Sequence, residues 1–130
     1  MTRKKIAFLL FIITTSFVSA QTLGCIPLQK GKFKMENDEI GTTYITRSKK
    51  HQLEETPKIG LKARYDIEWV NECKYILKNR VTLEGSDLFK VPEDAQVIVE
   101  IIKVNLKSYN VKVSSNFNNK QFDGLVEIVK

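Results

Sequence analysis

From Leu61 to Trp69 the chain alternates without a break. Leu61, Ala63, Tyr65, Ile67 and Trp69 are apolar, and the residues between them, Lys62, Arg64, Asp66 and Glu68, are charged. A period of two places one set on one face of an extended strand and the other set on the opposite face, a pattern that no helix produces. The segment therefore predicts a strand with one face in a core and the other in water. The next run, Cys73 to Val81, alternates as well. The connection between the two is set by matching their apolar faces. A three-residue loop of Val70, Asn71 and Glu72 puts Trp69 opposite Cys73, Ile67 opposite Tyr75 and Tyr65 opposite Leu77, with Glu68 meeting Lys74 on the outer face. A slip of one place would carry charges into the core, and in the matched register Cys73 points inward.

Residues 31–36, 42–47, 51–55, 96–105, 109–115 and 121–129 read as further strands, separated by turn-rich pieces such as ENDEIG, ETPKIG and SNFNN. Gly124 is expected to mark a bulge or bend in the last of them. The longest irregular connection is LEGSDLFKVPEDA, in which Asp87 is a candidate cap for a short helical turn. No long segment shows helical periodicity. The expected fold class is all-β: about eight consecutive antiparallel strands in a meander, closed into a small lipocalin-like barrel or folded into a sandwich. Closure would leave no open sheet edge.

The first twenty residues form a separate unit. Thr2-Arg3-Lys4-Lys5 is a short positive head, and Ile6 to Val18 is an uncharged, mostly apolar run too short to span a bilayer comfortably. Val18-Ser19-Ala20 supplies the small side chains that a signal peptidase accepts, so cleavage is expected between Ala20 and Gln21. The domain organisation is then a signal peptide, 1–20, and one β domain, 21–130, exported to the periplasm or the exterior. The alternative is a lipid anchor on Cys25 in Thr22-Leu23-Gly24-Cys25. Lipoprotein signals usually place Leu three positions before the cysteine, where this chain has Thr22.

Loss of Arg3, Lys4 and Lys5 lowers the formal net charge from +6 to +3. The remaining basic residues are dispersed, with Lys49-Lys50 the densest point, and form no tract suited to nucleic acid. Two cysteines in an exported chain favour a disulfide between Cys25 and Cys73. Closing a loop of about 49 residues would restrict the unfolded chain by about 4 kcal/mol in the chain-entropy view. Acylation of Cys25 and this disulfide exclude each other.

The stretches CIPLQKGKFK, TTYITRSKKHQLEE, IEWVNECKYIL, VPEDAQVIVEIIKVNLKSYNVKVSSN and VEIVK together resemble a family of small exported proteins of unassigned function from flavobacteria and their relatives. The resemblance runs from about Cys25 to the end. It is carried by Cys25, Gly31, Phe33, Arg47, Trp69, Cys73, Tyr75 and Leu77, and it implies export and architecture, not an activity. A broader likeness is to lipocalin-like barrels, in which a Gly-x-Trp opens the first strand. Here that position reads Gly31-Lys32-Phe33.

The inventory of reactive groups is short. His51 is the only imidazole, and His51-Gln52-Leu53-Glu54-Glu55 approaches a zinc-protease signature without its second histidine. In a strand those side chains would point to alternating faces. Asp66 and Glu68 share a face as paired glycosidase acids might, but they share it with Lys62, Arg64, Lys74 and Lys78, which makes surface charge pairing the simpler account. No catalytic, metal or cofactor residue is assigned. Phe33, Tyr65, Trp69 and Tyr75 are the candidate pocket lining, or else ordinary core aromatics. Three functions follow in order of preference. The first is a non-enzymatic exported domain that binds a macromolecular partner or supports the envelope. The second is a lipocalin-like carrier of a small apolar ligand, with a cavity beside Trp69. The third is a hydrolase using carboxylates or a metal near His51 and Glu54.

Overall fold

A computed structural model of the chain describes residues 24–86 and 91–130. The expected signal peptide, 1–20, the expected cleavage site between Ala20 and Gln21, and Asp87 lie outside the described residues. Eight strands follow one another: β1 (Gly31–Asn37), β2 (Gly41–Arg47), β3 (His51–Thr56), β4 (Leu61–Asn71), β5 (Lys74–Glu84), β6 (Val97–Val104), β7 (Ser108–Ser115) and β8 (Phe122–Val129). Each pairs antiparallel with the next, and β1 pairs with β8 through Lys32–Val129, Phe33–Ile128 and Lys34–Glu127. The sheet is therefore a closed barrel and not a sandwich. The only described helical pieces are 3-10 turns at Ile26–Gln29 and Pro57–Ile59, and no helix among the described residues is long and apolar enough to cross a membrane.

The alternation read from β4 holds: Ala63 and Ile67 are buried and Arg64 and Glu68 are exposed. The register of the β4–β5 hairpin differs from the expected one. Trp69 faces Tyr75, Ile67 faces Leu77 and Asp66 faces Lys78, with an irregularity between Trp69 and Asn71. The turn is tighter than three residues because the Asn71 side chain accepts a hydrogen bond from the Cys73 amide at 2.9 Å, closing an Asx turn. The displacement is two places, so every side chain keeps its face. Glu68 consequently pairs with Lys78 at 3.3 Å and not with Lys74.

A second difference lies further along β5. The partners run Asp66–Lys78 and then Arg64–Val81, so β5 carries an extra residue here. Asn79 sits in this bulge with φ 55°, in the left-handed region that asparagine tolerates better than most residues. Its side chain donates to Asp66 at 2.9 Å. Beyond the bulge the faces exchange: Thr82 stands opposite inward-facing Ala63, whereas Val81 turns out beside Arg64. Gly124, by contrast, interrupts nothing, since β7 and β8 stay in continuous register across it. Its lack of a side chain serves a close approach instead, because a Cβ there would lie 3.0 Å from the Met35 terminal methyl. Gly85, at the end of β5, is needed more strictly. Its φ is 90°, and a Cβ would collide with the Gly60 carbonyl.

The core is one cluster that includes Phe33, Ile45, Tyr75, Leu77, Val99, Tyr109, Val111 and Val126. One end is closed by the Ile26–Gln29 turn, which buries Leu28 together with the preceding Cys25. Cys25 is disulfide-bonded to Cys73, their Cα atoms 5.3 Å apart, which ties this plug to the β4–β5 hairpin. Cys73 itself packs against the core, as the alternation required. The structure thus contains the Cys25–Cys73 disulfide expected from the cysteine count. Replacing Cys73 by alanine is expected to lower the unfolding free energy by about 4 kcal/mol relative to the oxidised protein. Urea denaturation, with reduced wild type as a parallel sample, measures it.

Candidate functional site

The inner wall is not uniformly apolar. β3 turns Gln52 and Thr56 inward, both buried, and Glu54 lies on the same side; Leu53 alternates to the outside. β2 turns Arg47 inward, directly opposite Gln52 in the ladder. Arg47 is 3% exposed, and its guanidinium is held on three sides. Nε donates to Gln52 Oε1 at 2.8 Å, one terminal nitrogen donates to the Leu28 carbonyl at 2.9 Å, and the other donates to the Tyr75 hydroxyl at 3.0 Å. Its flat faces lie over Phe33 and Tyr75, 4.5 and 4.9 Å from the ring centroids. A buried cation loses water's stabilisation, and here neutral acceptors and aromatic faces replace it.

Gln52 passes the polar connection onward. Its amide nitrogen donates to Glu54 Oε2 at 2.7 Å, so Arg47, Gln52 and Glu54 form one oriented chain. Glu54 and Gln52 line a cavity of about 180 Å³, whose other walls include Ile45, Tyr65, Leu77 and Val99. Burial pushes the Glu54 carboxyl above its ordinary value of 4.5, opposed by the Gln52 hydrogen bond and by the charges of Arg47 and Arg80. Burial likewise holds the Tyr75 and Tyr109 hydroxyls above the usual phenol range, against the pull of Arg47. Tyr109 is fully buried, its ring edge-on to Phe33 at 5.7 Å, and its hydroxyl makes no hydrogen bond of good geometry although Arg47 and Tyr75 lie close to it.

The barrel wall is incomplete beside this cavity. The β1–β8 ladder ends at Lys34–Glu127, and beyond it the strands diverge around an opening of about 320 Å³. Met35 and Phe122 line both the opening and the interior cavity, so they stand between the two. The space left at Gly124 is what lets Met35 lie there.

The candidate residues from the sequence divide into two groups. Tyr65 and Tyr75 line the cavity. Phe33 and Trp69 do not: Phe33 packs beneath Arg47, and Trp69 tilts against Tyr75 at 4.8 Å with its Nε1 donating to the Lys49 carbonyl. The cavity is therefore displaced from the expected place beside Trp69. His51 is exposed on the outer face, 3.5 Å from Asp66, while Glu54 is inside, so the pair behind the hydrolase alternative is split by the sheet. Among the described residues no group of three or more His, Cys, Asp or Glu is placed to hold a metal ion. Gln52 and Arg80 were not anticipated. Gln52 was hidden because Leu53 makes the opposite face of β3 look like the buried one, and Arg80 because the bulge reverses the alternation ahead of it. The available signal was the run of same-parity polar residues Gln52, Glu54 and Thr56. Comparison with protein-family models, curated proteins and solved structures finds no match to the chain.

Two outcomes test this arrangement. Arg47→Ala removes the partner of three buried acceptors and leaves a void, and is expected to cost about 3 kcal/mol or more, against a smaller loss for Arg47→Met, which fills the space. Chemical denaturation of both variants measures the difference. Because the fold favours the neutral form of Glu54, the stability that this group contributes is complete below pH 4.5 and is lost as pH rises through its elevated titration. Glu54→Gln is therefore expected to melt higher than wild type at pH 7 and to match it below pH 4.5, in melting curves taken across that range.

Proposed function

We propose that this chain is an exported, non-enzymatic β-barrel domain that holds a small molecule in its interior. The observation that carries this reading is the cavity of about 180 Å³, where apolar walls converge with Arg47, Gln52 and Glu54 inside the barrel. Sites for small molecules combine such walls with a few placed polar groups. The volume is small: an apolar cavity of about 150 Å³ accepts benzene, which sets the scale of the occupant. Export is supported by the leader-like segment 1–20, by the disulfide, which persists in oxidising compartments, and by the resemblance to small exported flavobacterial proteins.

The macromolecular-partner reading falls to second place. Among the described residues the large exposed apolar side chains are spread over five strands, with Tyr44 on β2, Val70 on β4, Val81 and Leu83 on β5, Ile102 on β6 and Phe122 and Leu125 on β8, and over the connections at Ile26, Leu106 and Phe117. The non-enzymatic reading rests on the inventory of groups. Both sulfurs are joined, and the one imidazole is on the opposite face from the interior carboxylate.

Two measurements test the proposal. The intact mass of the protein from the host periplasm should begin at Gln21 and be two hydrogens short of the reduced chain. A mass carrying acyl chains on Cys25 would overturn the free, exported form. Methyl NMR with benzene-sized fragments should shift Ile45, Leu77 and Val99 resonances in wild type, and Val113→Phe, which fills the cavity, should abolish the shifts while leaving the spectrum folded. Shifts confined to the outer strand faces would overturn interior binding.

A further inference from the structure

The interior cavity is apolar on most sides; its polar lining is Arg47, Gln52, Tyr65, Tyr75 and one carboxylate, Glu54, whose bonding is half complete. Among the described residues, Glu54 receives a hydrogen bond at Oε2 only, from Gln52 at 2.7 Å. The Gln52 amide oxygen is already occupied by Arg47, so the amide cannot turn to offer anything else. A carboxylate has room for several donors, and half-buried Glu54 keeps acceptor capacity for an occupant of the cavity that it lines. The neighbouring charges decide what kind of donor fits. Arg47 and Arg80 both act on Glu54. A ligand ammonium would bring a third cation to this corner, and a ligand carboxylate would stand against Glu54 itself. An uncharged hydroxyl adds no net charge to a buried site, and it can donate to an ionised carboxyl or accept from a neutral one.

Resting on the interior-binding reading, we infer that the cavity takes a benzene-sized apolar molecule bearing one uncharged hydroxyl, with the hydroxyl on Glu54 and the ring against Ile45, Leu77, Val99 and Val113. Access is through the side opening where β1 and β8 diverge, with Met35 and Phe122 moving aside. Unbranched methionine at this place, facing glycine and not a side chain, is suited to such displacement.

The test compares four probes of one size, phenol, toluene, benzylamine and benzoate, by methyl NMR titration at pH 7 with the disulfide-intact protein. Phenol is expected to bind about five- to tenfold more tightly than toluene, the factor for one hydrogen bond of ordinary net strength. Benzylamine and benzoate are expected to bind more weakly than phenol. In Glu54→Leu the phenol advantage should vanish while toluene binds at least as well as before. Should that variant fail to fold, Glu54→Gln, which keeps the shape and loses the charge, should narrow the difference between phenol and toluene. Equal binding of phenol and toluene in wild type would overturn the hydroxyl contact and leave interior binding standing. Tighter binding of either charged probe would overturn the choice of a neutral group. No shift of interior methyls with any of the four would remove the interior-binding reading as well.

Discussion

A single guanidinium organises the closed end of this barrel. Arg47 reaches from β2 into the core and donates to the plug at Leu28, to β3 through Gln52 and to β5 through Tyr75, while Phe33 of β1 and Tyr75 cover its faces. Its planar fork supplies several donors in fixed directions, and its flat faces stack on rings, which a lysine in the same place could not do. Elements far apart in the chain thereby share one set of bonds. The disulfide acts on the same end by a different means. It limits the unfolded chain, whereas Arg47 acts by satisfying groups that the folded chain has buried.

The same arginine imposes the polar character of the other half. A buried cation needs compensation, and Gln52 relays it toward Glu54 without bringing the two charges into direct contact. The consequence is a carboxylate in the interior, held above its ordinary titration range by burial. Two strands round the barrel from β3, the Asn79 bulge reverses the alternation of β5, so that Arg80, beyond it, acts on Glu54 while Val81 turns outward. The interior thus holds a mixed cavity that Arg47, Gln52 and Glu54 all border, with Met35 and Phe122 between it and the opening where β1 and β8 part.

Much of the fold was legible in the chain. Eight strands appear close to the places where alternation and turn residues put them, because a period of two is a local property that needs no partner to be read. The pairing of Cys25 with Cys73 followed from their number and context. The errors have a common origin. The β4–β5 register, the face exchange after Asn79 and the uninterrupted strand at Gly124 depend on Asx bonding, bulges and a methionine from the first strand, none of which changes the apolar count of a segment. Phe33 and Trp69 were rightly taken as inward aromatics, yet whether an inward aromatic borders empty space depends on what meets it from across the barrel.

By itself, then, the order of residues determined the strands, the inward face of β4 and of β5 up to its bulge, the sulfur pairing and the charged outer face of β4, since each of these depends on neighbours along the chain or on simple counts. Tertiary structure alone decided that the sheet closes, that β3 offers its polar side to the inside, that Arg47 meets Gln52 and Tyr75, and where a cavity is left. Those outcomes are set by the sum of eight registers around a ring. A displacement in any one of them moves side chains that lie distant in sequence into or out of reach of each other.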